Sequence, residues 1–85
     1  MPQNAMPPYT DLPTELPRGL YRHYKGKDYR VLGTVRHSET EEVLVLYAPL
    51  YQTRPDLWVR PLSMFSESVQ TDTGPVPRFR FLSAD

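Results

Sequence analysis

The amino-acid sequence predicts an all-β domain, a small five-stranded SH3-like barrel with one short helical turn before the last strand. Three observations carry this expectation. Short apolar runs alternate with turn signals from residue 18 onward. A proline opens the one segment suited to a helical turn, because proline is tolerated at a first helical position. The chain has 85 residues, and closing the sheet removes the edge strands that a small domain has little material to cover. An open, strongly bent sheet is the alternative.

Residues 1–17 read as a tail and residues 18–85 as a single domain. Pro2, Pro7, Pro8, Pro13 and Pro17 remove backbone donors and fix φ, so neither a helix nor an inner strand suits this stretch. Extended, polyproline II-like or disordered chain is expected, a flexible leader rather than a ligand for another domain. Strand one is expected at 20–24. Gly26-Lys27 suits a two-residue type II′ turn, which leads to strand two at 29–36. His37 to Glu42 forms a polar loop. Strand three, at 43–50, is rich in Val and Leu. Pro55 marks another turn before strand four at 57–60. Pro61 opens the helical turn at 62–66. Gly74, Pro75 and Pro77 make 71–77 a loop, and strand five closes the domain at 78–82.

The turns set a register, and the register sorts side chains by face. Pairing Arg22 with Val31, Tyr24 with Tyr29 and Gly33 with Tyr47 puts Arg22, Tyr24, Tyr29, Val31, Val35, Val45, Tyr47, Tyr51, Trp58 and Arg60 on one side. The aliphatic set Leu32, Thr34, Leu44, Leu46, Ala48, Leu57 and Val59 lies on the other and is expected to be the core. A slip of one residue exchanges the faces, so Val31, Val35 and Val45 are alternative core residues. Phe79 and Phe81 alternate with Arg78 and Arg80 and are expected inside.

Composition excludes several functions. There is no cysteine, hence no disulfide, zinc–thiolate site or thiol nucleophile. Ten Lys and Arg balance ten Asp and Glu, which argues against a strongly basic nucleic-acid binder. The balance conceals a segregation. Arg18, Arg22, Lys25, Lys27, Arg30 and Arg36 face a single acid, Asp28, while Glu39, Glu41 and Glu42 cluster later. No apolar run reaches bilayer length and no signal core opens the chain, so a cytoplasmic protein without membrane contact is expected.

The candidate ligand-binding residues are Arg22, Tyr24, Tyr29, Tyr47, Tyr51, Trp58 and Arg60. Aromatic faces stack on bases or prolines, and arginine pairs with phosphate or carboxylate. The competing reading places Trp58 and some of the tyrosines in an aromatic core. A weaker candidate is His23, His37 and Glu39, as a metal or acid–base site. Against it, His23 and His37 stand about seven strand residues apart, roughly 23 Å at ~3.3 Å each. His37-Ser38 lacks the reach and third group of a nucleophile–base pair, and Ser38 and Thr40 suit loop hydrogen bonds better. No catalytic residues, cofactor or metal is expected.

Several blocks together carry a resemblance: Gly19-x-Tyr21-Arg22-His23-Tyr24-Lys25-Gly26-Lys27-x-Tyr29, His37-Ser38-Glu39-Thr40, Trp58-Val59-Arg60-Pro61 with Met64-Phe65, and Val76-Pro77-Arg78-Phe79. From residue 16 to 82 the chain resembles a small bacterial domain family known as a domain of unknown function. The resemblance implies a compact β domain, joined in some relatives to Nudix-type hydrolases. By analogy it weakly favours a nucleotide-like or nucleic-acid ligand. The function expected is therefore a non-enzymatic binding module for a nucleotide, a nucleic acid or a protein segment. The alternatives are a protein-interaction domain using an edge strand or aromatic groove, and a small hydrolase built on His37 and Glu39.

Overall fold

The computed structural model describes residues 16–54 and 56–85. The tail expected at 1–17 lies outside these residues except for its last two. There, Leu16 packs on the core and the Pro17 carbonyl accepts a hydrogen bond from the Tyr21 hydroxyl at 2.7 Å.

The domain is all-β. Among the described residues seven strands run β1 (Gly19–His23), β2 (Asp28–Arg36), β3 (Val43–Pro49), β4 (Trp58–Pro61), β5 (Ser68–Thr71), β6 (Gly74–Pro77) and β7 (Phe79–Ala84). One helical turn, α1 (Leu62–Phe65), follows β4 and begins directly after Pro61, as the proline suggested. The main sheet is antiparallel in the order β4-β3-β2-β1-β7, and β5-β6 form a separate hairpin. β4 and β7 are the two edges and do not pair with each other, so the sheet is open where a closed barrel was expected.

The first hairpin differs from its expected geometry. Gly26 N–H donates to the His23 carbonyl at 2.7 Å, and His23 N–H donates to the Lys27 carbonyl at 2.8 Å. Tyr24 to Gly26 thus form a three-residue loop, with Gly26 at φ 103°, the pattern of a turn followed by a left-handed residue. The longer loop moves the register by three residues. Tyr21, not Arg22, now shares a face with Tyr29, and Arg22 pairs with Asp28 on the opposite face.

Between β2 and β3 two one-residue shifts add up. Arg36 rather than His37 pairs with Val43, and a bulge at Leu32 moves the register once more, so Tyr47 pairs with Val31 where Gly33 was expected; a shift of two keeps the faces. Tyr29, Val31, Val45 and Tyr47 therefore share one face as expected, with Trp58 and Arg60 added by β4. That face is the core. It buries Tyr21, Tyr29, Val31, Val45, Tyr47, Phe65 and Phe79, with Leu16, Trp58 and Leu62 packed against them.

The aliphatic face assigned to the core is the outer one. Leu32, Leu57 and Val59 are exposed, and Leu44, Leu46 and Ala48 are half-buried. The reason is volume: in a small domain, rings fill more space per residue than Val or Leu, and one helical turn carrying Phe65 completes the layer. Val35, beyond the bulge, is exposed as well. Phe79 is in the core, but Phe81 is 41% exposed. β7 is an edge strand, so the inward ring of Phe81 meets neighbours from one side, chiefly Tyr21 at 5.3 Å between centroids.

Residues 71–77, expected to be a loop, hold the end of β5, a tight turn and the whole of β6, which pairs back on β5. The prolines are compatible with pairing because this two-stranded hairpin is edge on both sides. Asp72-Thr73 turns it, and Thr71 fixes the turn by donating to the Gly74 carbonyl at 2.7 Å.

Candidate functional site

The structure divides the seven candidate residues between two places. Tyr29, Tyr47, Tyr51, Trp58 and Arg60 stay together; Arg22 and Tyr24 lie elsewhere. Within the first group, Tyr29 meets Tyr47, Tyr51 and Trp58 at centroid distances of 5.5, 5.6 and 6.2 Å, in tilted and edge-on pairs. Tyr29 and Tyr47 are buried, Trp58 and Arg60 half-buried, and Tyr51 exposed. The Arg60 guanidinium lies over the Phe79 ring at 5.6 Å. These rings serve the core, and only their rim reaches solvent. At that rim the Tyr29 hydroxyl donates to the Tyr51 hydroxyl at 3.3 Å, and Lys27 Nζ sits 4.5 Å above the Tyr51 ring. Burial first, then the Tyr51 hydrogen bond, raises the Tyr29 phenol above its ordinary range.

Arg22 and Tyr24 line a cleft of about 340 Å³ at the other side of the first hairpin. Val76 and Pro77 of β6 form its apolar wall. Gly26 and His23 contribute from the hairpin, and Arg80 from β7. The β1 register explains the convergence. Arg22 stands opposite Asp28 on one neighbour and opposite Arg80 on the other, so two guanidinium groups and one carboxylate form a row across three strands. The Tyr24 amide donates to the Arg78 carbonyl at 2.9 Å and ties the hairpin to the corner before β7.

The row is electrostatically unbalanced. Arg22 uses both of its forked donors on Asp28, at 2.7 and 3.1 Å. That contact raises the arginine pKa and lowers the Asp28 carboxyl below its usual value. Arg80 is exposed, and like charges directly opposite each other destabilise a sheet. The next arginine, Arg78, is engaged by Glu67 at 2.6 Å. Lys25 adds positive charge beside the cleft, with Nζ 5.8 Å from the Tyr24 ring centroid. His23 is held below its ordinary pKa, first by burial and then by Arg60, Arg78 and Lys25. Its Nδ1 accepts from the Lys25 amide at 3.1 Å, which puts the proton of the neutral ring on Nε2.

His23, His37 and Glu39 are not brought together. His23 ends β1 beside the first turn, while His37 and Glu39 lie at the far end of β2, nine residues and about 30 Å away at ~3.3 Å each. His37 Nδ1 accepts from the Glu39 and Thr40 amides, and Ser38 donates to Glu39. These bonds shape the loop: Thr40 Oγ1 accepts from the Glu42 amide as expected, whereas Ser38 bonds a carboxylate rather than a backbone amide. Among the described residues no cluster of His, Cys, Asp or Glu could hold a metal ion. Among them, too, no helix is long and apolar enough to cross a membrane.

Sequence reasoning missed Val76, Pro77 and Arg80. The Arg78-Phe79-Arg80 alternation marked Arg80 as outward-facing. Placing it beside Arg22 requires the pairing of β1 with β7, which no local signal discloses.

A family model described as a protein of unknown function (DUF1653) matches residues 19–81. Among solved structures, a crystal structure of a protein of that family from Bordetella bronchiseptica is similar to this chain. It is 40% identical, with a TM-score of 0.75, over 84% of this chain and 92% of that one. No curated protein matches.

Proposed function

The chain belongs to the DUF1653 family, and from its own geometry we propose that it is a binding module for an anionic ligand with a flat ring, a nucleotide or a nucleic-acid segment. One observation carries the reading: Arg22 and Arg80 stand directly opposite each other with a single carboxylate between their needs, at the mouth of a cleft that also exposes the Tyr24 ring. An arrangement that costs stability in the free protein becomes favourable when an anion bridges the two guanidinium groups. The ring stacks on Tyr24 against the Val76–Pro77 wall, and the phosphate meets the arginines. The cleft volume falls in the range of small-ligand sites, about 300–1,000 Å³. The aromatic–arginine pairing expected from the sequence is kept, with Arg22 and Tyr24 as its members and Arg80 as the added partner. Tyr29, Tyr47 and Trp58 support it from the core.

A chemical-shift titration tests the reading. Adenosine monophosphate, adenosine triphosphate and short single-stranded oligonucleotides are added in turn to labelled protein. The expected result is saturable shifts at Arg22, Tyr24, Gly26, Val76 and Arg80, weakened by added salt. No shift at these residues at millimolar ligand overturns it.

A further inference from the structure

We propose that the outer face of the five-stranded sheet is the surface on which a second copy of this chain docks. The core lies on one side of the sheet. On the other, Leu32, Val35 and Val59 are exposed, and Leu44 and Leu46 are half-buried between them. The ladder makes these one patch. Leu46 pairs with Val59 on one side and Gly33 on the other, and Leu44 pairs with Val35 and Pro61. No described element covers it. α1 turns the Phe65 ring to the core side, against Tyr21, Tyr47 and Phe79.

Charge decides the occupant. At one end of β2 the exposed turn after Arg36 carries Glu39, Glu41 and Glu42. At the other end lie Arg22 and Arg80, with Asp28 neutralising one of them. The face is thus apolar in the middle, acidic at one end and basic at the other. Two such faces match under a two-fold axis lying in the interface and perpendicular to the strands. That operation sets apolar on apolar and each acidic turn on the partner's arginine row, in an isologous contact. The axis parallel to the strands would set like charge on like and is disfavoured. Four strands about 4.8 Å apart and about six residues long at ~3.3 Å give roughly 400 Å² per copy before side-chain relief. This is below the ~800 Å² per partner of standard interfaces, so the dimer is weak, with a Kd on the order of 100 μM.

Sedimentation equilibrium from about 10 μM to 1 mM tests this. The wild type is expected to dimerise across that range. Val59→Glu and Leu32→Glu, each checked by circular dichroism, are expected to be monomeric at about 1 mM while keeping the nucleotide titration at Tyr24 and Val76, because neither residue lines the cleft. Should either carboxylate unfold the sheet, Glu42→Lys on the solvent-exposed turn serves instead. It is expected to weaken association about tenfold at low salt, and less at high salt. A wild type that stays monomeric at about 1 mM, a dimer that persists in both folded apolar variants, or an unchanged Glu42→Lys dimer overturns the proposal. A protein that loses the dimer yet still binds nucleotide separates this inference from the cleft reading.

Discussion

Phe79 concentrates the stability of this domain. Its ring stacks on Phe65 at 4.0 Å between centroids and meets the edges of His23, Tyr29 and Tyr47. Truncation removes the transfer energy and leaves a cavity among rings that cannot all collapse. Phe79→Ala is expected to cost about 3–5 kcal/mol in urea unfolding, enough to depopulate the fold of so small a protein. Gly19 is constrained differently. It takes φ 141°, and a Cβ there would lie 2.2 Å from the Ser83 carbonyl oxygen. Gly19→Ala is expected to lose more than about 1 kcal/mol and to loosen the β1–β7 seam, read as faster amide exchange at residues 80–84. His23 gives a pH signature. Its folded pKa is depressed, so the unfolded chain binds its proton first as pH falls. Stability is therefore full above the unfolded value of about 6.5 and declines as pH falls from there toward the depressed folded value. The lowered carboxyl of Asp28 adds a second loss, below its ordinary value of 3.8. Thermal midpoints measured between pH 7.5 and 5 are expected to fall in the wild type and to flatten in His23→Gln.

At the level of elements, α1 is four residues long and has no side-chain cap. A helix that short cannot hold itself. It persists because Pro61 starts it and because Phe65, 1% exposed, anchors it against Phe79. A double-mutant cycle on Phe65→Leu and Phe79→Leu is expected to show a coupling of about 0.5–1.5 kcal/mol, the worth of an aromatic pair beyond its area. Additive losses would make the helix an independent ornament of β4. This is also the scale at which the sequence was readable. Tyr29, Val31, Val45 and Tyr47 alternate cleanly, Pro61 announces the turn, and Phe79 alternates with arginines. What the sequence left hidden follows from two local facts. Gly26 closes a three-residue loop, and three is odd, so every side chain of β1 changed faces relative to expectation. Pro75 and Pro77 suggested a loop, but in a two-stranded ribbon each strand has an unpaired side that tolerates them. The cleft depended on both, since Arg22 reaches it through the first and Val76 and Pro77 through the second.

For the whole molecule, the decision between faces was one of volume. Among the described residues, five of the seven buried in the core are rings, with Val31 and Val45 between them. The open sheet that results has one side packed with aromatics. Its other side is partly bare among the described residues and ends at the Arg22–Arg80 row. That row is the centre of the functional account, because Arg80 stands opposite Arg22 with no ion pair of its own among the described residues. Thermal unfolding of the wild type and Arg80→Gln, with and without adenosine triphosphate, tests this most directly. Free Arg80→Gln is expected to melt at the same temperature as the free wild type or higher, and millimolar nucleotide to raise the midpoint of the wild type alone. A lower midpoint for free Arg80→Gln, together with no nucleotide effect on the wild type, would show that Arg80 supports the fold and that the cleft is not a site for this class of anion.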